Sequence, residues 1–262
     1  NKKEYGTFVT WFGHSSVMLD INGKRLLFDP VFGKYASPFK GYVKRFENSI
    51  HINGDDFEKL GKIDAIVISH DHFDHLDSNT IKKLKNQVSR FIVPLGVTEH
   101  LVRWDIDKNK IDELDWWEEI AFDNIKLVCT PSQHFSGRNP FRQNSSLWCS
   151  WTLLGEVGNI FFSGDSGYFK GFKKIGEKYG PFDLAMLECG QYNELWREIH
   201  MMPEDTAKAG LDLKAKLILP IHNSAFSLSI HSWDEPLERL YKESEKLKVN
   251  ILSLLQGEMH RL

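Results

Sequence analysis

A dense group of metal-binding side chains lies between residues 69 and 77 of this 262-residue chain. Three histidines and three aspartates fall within these nine residues, directly after the apolar stretch 63–68. Imidazoles and carboxylates are the usual ligands of zinc and similar ions, and an unpaired cluster of them favours a shared cation. The cluster therefore predicts a metal site at the end of a strand. Its sequence is Ser69-His70-Asp71-His72-Phe73-Asp74-His75-Leu76-Asp77.

Three further residues follow other β-rich stretches in the same way. They are His134, Asp165 and His222. Loops at one edge of a sheet can meet, so we expect these side chains to join the first cluster. Each of them alone could equally be an ordinary hydrogen-bonded residue at a strand end, and it is the repeated placement that favours the metal interpretation.

The candidate ligands divide into two sets that one aspartate could join. The sets are His70, His72 and His134 for one ion, and Asp74, His75 and His222 for the other, with Asp165 shared. Alternate residues of an extended segment face the same side, so the first two histidines can reach one ion. Two ions that share a carboxylate are typical of hydrolytic metal sites. Imidazole and carboxylate without thiolate suit zinc, although manganese or iron would accept much the same set.

The elements that must position these residues are mostly short strands. Apolar β-rich segments predict strands at 8–11, 16–21, 24–28, 63–68, 90–93, 125–129, 147–154, 159–162, 184–187 and 217–220. Helical patterns predict helices at 78–84, 94–103, 203–213 and 233–246. The dipeptide Asn22-Gly23 is typical of a tight type I′ hairpin turn. A meander followed by strands alternating with helices predicts two sheets with helices outside, in one domain, 1–262.

Composition excludes several classes of partner. The net charge of −3 gives no field that would attract nucleic acid. No apolar stretch is long enough for a membrane helix, and the three cysteines are too widely spaced for a disulfide framework. These features favour a cytoplasmic protein. The chain starts without methionine, so a trimmed leader, with export or membrane association, stays open.

The motif His70-Asp71-His72-Phe73-Asp74-His75 resembles the HxHxDH signature of the metallo-β-lactamase superfamily. The remaining candidate ligands occur in the order in which that family supplies them. The resemblance covers nearly the whole chain and is greatest to the branch that contains N-acyl-phosphatidylethanolamine-hydrolysing phospholipase D. The sugar-phosphate lactonase branch shares the ligands but accounts for less of the rest. The supporting stretches are 11–16, 28–32, 37–38, 114–117, 130–138 and 163–168.

The resemblance implies a fold and a reaction. The fold would be of the α/β (α+β) class, a four-layer αββα sandwich with two divalent ions, most simply Zn²⁺, at one edge. The reaction would be hydrolysis of a phosphodiester or phospholipid by a hydroxide that bridges the ions, held by Asp74 and Asp165. A lactonase or sugar-phosphate hydrolase is the alternative within the superfamily. A binding or sensing domain that kept the ions and lost turnover is the alternative outside catalysis.

The resemblance also implies roles around the metals. His14, Asp29 and Asn144 would orient ligands through hydrogen bonds, although Asp29 could instead cap a turn and His14 could pack beneath the sheet. His200 occupies the position of a histidine near the substrate phosphate, which makes it a third catalytic candidate. Its alternative is an ordinary loop histidine.

Substrate specificity is expected to depend on segments that depart from the phospholipase pattern. Their candidate pocket residues are Glu188, Gln191, Tyr192, Asn223 and His231. Residues 34–46 interleave cations with aromatics, which suits peripheral contact with a lipid surface, although a solvated loop is the simpler interpretation. Arg138 and Arg142 could meet an anionic substrate or lie on the surface. We expect a small-molecule or lipid phosphodiester as the partner, and no nucleic acid.

Overall fold

The computed structural model describes residues 6–39, 41–50, 52, 56–138, 141–156 and 158–262. The strands are β1 (Phe8–Trp11), β2 (Val17–Ile21), β3 (Lys24–Phe28), β4 (Ile63–Val67), β5 (Val88–Pro94), β6 (Ile111–Leu114), β7 (Glu119–Phe122), β8 (Ile125–Thr130), β9 (Ser150–Gly155), β10 (Gly158–Phe162), β11 (Leu184–Glu188), β12 (Ile218–Ile221) and β13 (Met259–Arg261). The α-helices are α1 (Asp56–Lys59), α2 (Ser78–Leu84), α3 (Thr98–Arg103), α4 (Gly171–Tyr179), α5 (Pro203–Asp212) and α6 (Glu235–Leu247).

The strands form two mixed sheets. One has seven strands in the order β13-β1-β2-β3-β4-β5-β6, and the other has six in the order β12-β11-β10-β9-β8-β7. β1, β2 and β3 are antiparallel, and the turn at Asn22-Gly23 has positive φ at both residues, as type I′ requires. β3, β4 and β5 run parallel, as do β10, β11 and β12.

The alternation of side chains along each strand builds four layers. On β3, Leu26 and Phe28 face the second sheet, while Leu27 joins a separate cluster with residues of the flanking helices. The Phe28 and Phe162 rings meet between the sheets, with centroids 4.8 Å apart. Phe161, the next residue along β10, packs outward against α4 and α5. The predicted αββα sandwich is confirmed.

The principal strand and helix predictions correspond to observed elements, with boundary differences. The sequence prediction missed β6, β7, β13, α1 and α4. β7 alternates exposed and half-buried residues at a sheet edge, and α1 spans one turn, so neither carries a strong apolar pattern. The described part of the chain contains no helix long and apolar enough to cross a membrane.

The topology brings the predicted site residues to one edge. The carboxyl ends of parallel strands lie on the same side of a sheet, and β3, β4, β10, β11 and β12 each end just before, or at, a residue with metal-binding or acid–base chemistry. The two sheets pack face to face, so these ends converge. The residues are Asp29, His70, Asp165, Glu188 and His222.

Candidate metal centre

The loop after β4 carries the first cluster of predicted ligands. It turns tightly, because the backbone N–H groups of His75 and Leu76 both donate to the carbonyl oxygen of His72. Asp77 then caps α2 by accepting hydrogen bonds from two backbone N–H groups of the first helical turn. The turn and the cap fix both ends of the loop, so its histidines and aspartates are held at the edge of the sheet.

The first group of potential ligand atoms comes from three loops. One atom from each of its four residues lies within 4.8 Å of the others. His72 Nδ1 is 3.2 Å from His134 Nε2, and the Nε2 atoms of His70 and His134 are each 3.8 Å from Asp165 Oδ2. The structure thus brings together the predicted three-imidazole set and the aspartate. The group comprises His70, His72, His134 and Asp165.

The second group lies beside the first. It comprises His14, Asp74, His75 and His222, again with ligand atoms within 4.8 Å of one another. Asp165 Oδ2 lies 3.1 Å from His75 Nε2 and 3.2 Å from His222 Nε2, so this carboxylate contacts both groups. His14 Nε2 is 2.9 Å from Asp74 Oδ2, which is the contact that a supporting role requires. The same position also puts His14 within reach of the centre.

Burial and charge set the protonation of these groups. Burial lowers the pKa of His70 and of His134 well below the usual value, which leaves neutral imidazoles with lone pairs for a metal. At His75 burial also lowers the pKa, but Asp165 and Asp74 outweigh it and raise the pKa well above the usual value. The centre therefore favours a positive charge between its carboxylates, which a metal ion would provide.

Unpaired buried atoms test whether these residues fit a metal. Among the described residues, His70 Nε2, His75 Nε2 and Asp165 Oδ1 are buried and have no hydrogen-bond partner. Buried polar atoms seldom stay unpaired in native proteins. Unpaired imidazole nitrogens and a carboxylate oxygen within the two ligand groups fit divalent cations such as zinc, manganese or iron.

Asp29 orients the second group from below. It accepts hydrogen bonds from Ser69 N at 2.8 Å, from Ser69 Oγ at 2.5 Å and from His75 Nδ1 at 2.7 Å, which directs His75 Nε2 at the centre. Ser69 Oγ also lies 2.8 Å from His70 Nδ1, so it connects Asp29 to a ligand of the first group. Sequence reasoning missed this serine, whose only signal is its place directly before the motif.

Asn144 lies farther out than its predicted role implies. It is exposed, its Oδ1 accepts a hydrogen bond from Ser136 N at 3.2 Å, and its own N–H donates to Ser136 O at 2.9 Å. These bonds stabilise the loop after His134. Any orientation of that ligand by Asn144 is therefore indirect.

Arg138 is bonded to the backbone of the metal-binding loop. Its guanidinium donates to the carbonyl oxygens of Asp71 at 2.9 Å and Leu76 at 2.7 Å, and lies 4.2 Å from the centre of the Phe73 ring. Burial lowers its pKa to about 10. The side chain therefore clamps the metal-binding loop from outside. Arg142, by contrast, is exposed.

His200 lies against both ligand groups. Its ring is stacked on His222, with centroids 5.2 Å apart and planes 10° apart, and lies 5.1 Å from His134. Its Nδ1 is 3.0 Å from Glu188 Oε2. Burial alone would lower the pKa of His200, but the effect of Glu188 is opposite and larger, and the pKa is raised to about 9. The predicted substrate-contacting histidine is thus beside the centre, with its side chain 15% exposed.

The predicted pocket residues separate into two places. Gln191, Asn223 and His231 line a cavity of about 190 Å³, and Tyr192 stacks on His231 with centroids 4.3 Å apart. Glu188 is instead fully buried under His200. The amide of Gln191 already donates to Phe226 O and accepts from Leu228 N, so it serves as a wall and not as a free donor.

Comparisons with known proteins agree with this geometry. Residues 24–223 match the family described as Beta-lactamase superfamily domain. The chain is 41% identical over 254 residues to an uncharacterized protein of Mycobacterium tuberculosis, covering 95% of this chain and 67% of that protein. It is 34% identical over 253 residues to the N-acyl-phosphatidylethanolamine-hydrolyzing phospholipase D 1 of Caenorhabditis elegans, covering 90% of this chain and 69% of that protein.

A solved structure has the same fold. Igni18, a metallo hydrolase from Ignicoccus hospitalis, superposes with a TM-score of 0.75 at 19% sequence identity, covering 98% of both chains. Two sheets flanked by helices, with histidines and aspartates gathered at one edge, define a metal-dependent hydrolase. The chain belongs to the metallo-β-lactamase superfamily.

Proposed function

We propose that this hydrolase cleaves a phosphodiester, with a phospholipid of the N-acyl-phosphatidylethanolamine type as the leading substrate. One observation carries the proposal. Asp165 contacts both ligand groups, and His200 lies directly beside them with part of its ring exposed. A phosphoryl group in the opening would meet both metal positions and an imidazole. The name of the nematode relative supports the choice of phospholipid.

The residues of the site would have three roles: metal binding, orientation of the ligands and contact with the substrate. His70, His72 and His134 would hold one divalent ion, most simply Zn²⁺. Asp74, His75 and His222 would hold the other, with Asp165 shared. Two such ions supply Lewis acidity toward a phosphoryl oxygen and make a water molecule more acidic. Asp29 and His14 hold His75 and Asp74 in place through hydrogen bonds. His200 would contact a phosphoryl or leaving-group oxygen through the nitrogen that Glu188 does not engage.

The cavity of about 190 Å³ that is lined by Asn223, the residue after His222, would receive part of the substrate. Its wall includes Phe46, Phe226 and Trp233 together with hydroxyl and amide groups, so it suits a small group with both apolar and hydroxyl surface. This small, hydroxyl-lined volume is also the observation that favours the alternative, a lactone or a phosphorylated sugar.

A lipid substrate would also need a surface for the bilayer. Phe39 and Tyr42 are each 70% exposed, on the loop that also carries Lys34 and Lys44. Exposed aromatics next to cations suit the headgroup region of an anionic membrane. Arg45 is not part of this surface, because it is buried and donates to Val31 O and Gly33 O. Lys40 lies outside the described residues.

The proposal is tested by metal content together with a substrate panel. Purified protein loaded with Zn²⁺ or Mn²⁺ should bind about two ions per chain and hydrolyse bis-p-nitrophenyl phosphate. N-acyl-phosphatidylethanolamine in mixed micelles should be cleaved with a higher kcat/KM than a lactone of similar chain length. Faster cleavage of the lactone would exclude the phospholipid assignment.

The same assay separates an enzyme from a metal-binding sensor. Asp74→Ala removes a carboxylate of the second group and should abolish turnover while the fold, followed by circular dichroism, is kept. Wild-type protein that binds two ions but hydrolyses no member of the panel would instead indicate a binding or sensing domain.

A further inference from the structure

Glu188 is a buried carboxylate in an unusual setting. It ends β11, has no exposed surface, and its partners in the described part of the chain include no lysine or arginine. Burying a carboxylate is costly unless hydrogen bonds or a cationic neighbour compensate for it, and among these partners the His200 ring can carry that charge. The setting therefore indicates a functional role for Glu188 toward a neighbouring residue.

Both carboxylate oxygens of Glu188 are used by the segment that carries His200. Oε1 accepts a hydrogen bond from the backbone N–H of Met201 at 2.5 Å, and Oε2 lies 3.0 Å from His200 Nδ1. One oxygen thus fixes the backbone and the other fixes the ring. The backbone of Glu188 is fixed at the end of β11, where its N–H donates to Ser163 Oγ and its carbonyl oxygen accepts from Thr206 Oγ1.

The orientation of the His200 ring decides which of its nitrogens faces a bound molecule. Nδ1 points at Glu188, so Nε2 is the nitrogen left for a bound molecule. The ring plane is set by the parallel stack on His222, at 10°. Rotation of the ring would break the bond to Glu188 and direct the wrong nitrogen toward the metal groups.

A second role for Glu188 has to be separated from this one. Together with Asp165, His200 and His222 it forms a further set of possible ligand atoms within 4.8 Å of one another. Both of its oxygens already accept hydrogen bonds, whereas Asp165 Oδ1 has no partner. Of the two carboxylates, Asp165 is the one with an oxygen that has no hydrogen bond, so the geometry favours the glutamate as a hydrogen-bond acceptor and the aspartate as a ligand.

We propose that Glu188 is a positioning residue for His200: its buried carboxylate holds the ring and the following backbone so that Nε2 meets an oxygen of the substrate. The proposal rests on the proposed function for the identity of that oxygen. The coupling between the two side chains does not depend on whether the substrate is a phosphodiester or a lactone.

The test is a double-mutant cycle with Glu188→Gln and His200→Ala. Glutamine keeps the shape of the side chain but replaces one acceptor oxygen with an NH₂ donor, so it cannot accept both hydrogen bonds. We expect Glu188→Gln to keep both metal ions and lower kcat about 10- to 100-fold, with a smaller change in KM, because a misdirected catalytic group lowers rate at this scale. In the His200→Ala background the same substitution should change kcat less than about twofold.

Two results would overturn the proposal. Loss of a metal ion from Glu188→Gln, measured by inductively coupled plasma mass spectrometry, would make Glu188 a ligand. If Glu188→Gln lowered kcat equally in the wild-type and the His200→Ala backgrounds, the effect of Glu188 would be independent of the histidine. Glu204→Gln is the matched control, because Glu204 pairs with Arg239 on the surface and should leave kcat unchanged.

A spectroscopic readout keeps this test separate from the proposed function. In ¹⁵N-imidazole NMR spectra of metal-loaded protein, His200 should carry a proton on Nδ1 in the wild type, and its ring signals should shift in Glu188→Gln. An unshifted His200 would contradict the positioning role even if the enzyme hydrolyses phosphodiesters. A shifted His200 in a protein that cleaves only lactones would keep the role and reject the proposed substrate.

Discussion

The metal centre and the pocket beside it are built in different ways. At the centre, His14, Asp29 and His75 have no exposed surface, and they are connected to one another or to a neighbouring ligand by hydrogen bonds. At the pocket, Trp233 is 64% exposed and Ile230, close by in sequence, is 86% exposed. The centre ends on sheet strands, whereas the pocket is formed largely by the loop between β12 and α6.

This difference indicates a division between chemistry and specificity. Ligands on the ends of packed strands keep fixed distances, which a site with two ions requires. Loop residues with few buried contacts can change without disturbing the sheets. We therefore expect substitutions at the centre to affect kcat and metal content, and substitutions at the pocket to affect KM. Four substitutions test that division, and the first is expected to have the largest effect.

Asp165→Ala should have the largest effect, because this carboxylate contacts histidines of both groups. We expect kcat to fall by at least about 10³-fold and bound metal to fall below two ions per chain, because the substitution removes the carboxylate that both groups contact. Metal analysis and the rate with bis-p-nitrophenyl phosphate measure both. Asp56→Asn, an exposed carboxylate on α1, is the control. Retention of both ions and of full activity in Asp165→Ala would refute the shared-ligand role.

Asp29→Asn should have the next largest effect, on metal affinity. The amide oxygen can replace Oδ1 and keep the bond to Ser69 N, but an NH₂ group then replaces Oδ2, the oxygen that accepts from both Ser69 Oγ and His75 Nδ1. Removing a partner that orients a ligand weakens metal binding by about 10- to 100-fold. Competition with a chelator of known affinity measures this. Unchanged metal affinity would mean that packing at the end of β3, and not Asp29, sets the orientation of the His75 ring.

The two regions also differ in how far sequence could predict them. The ligands were predictable because their residue types are rare in clusters and because each follows an apolar strand. Glu188 was expected in the substrate pocket, but the structure buries it under His200, since the end of β11 points into the core. For Arg138 two roles were open, contact with an anionic substrate or a surface position, and the hydrogen bonds that the structure shows for it were not predictable. Its partners are backbone carbonyls, and backbone acceptors leave no pattern in a sequence.

Arg138→Met should affect stability more than chemistry. The substitution removes the hydrogen bonds to the carbonyl oxygens of Asp71 and Leu76 and leaves those oxygens short of a donor. A loss of about 1–3 kcal/mol in the free energy of unfolding is expected for buried acceptors left unpaired. Urea unfolding of the metal-loaded protein measures it, with the exposed Arg142→Met as the matched control. Equal stability in both variants would show that the clamp contributes nothing, and a loss of kcat at saturating metal would place Arg138 in the chemistry.

Trp233→Ala should give the smallest effect and the sharpest test of the pocket. Trp233 borders the cavity that Gln191, Asn223 and His231 line, and it contributes surface there without being buried in the core. Binding that is equal in the ground and transition states changes KM alone, so we expect KM to rise about 3- to 10-fold with kcat within about twofold. The effect should appear with the long-chain phospholipid and be absent with bis-p-nitrophenyl phosphate, which is too small to need that wall. Trp117→Ala, on the turn before β7, is the control. His222 is the first residue of the loop after β12. A fall in kcat for bis-p-nitrophenyl phosphate would therefore mean that this loop shapes the metal centre itself. The division between the two regions would then be wrong.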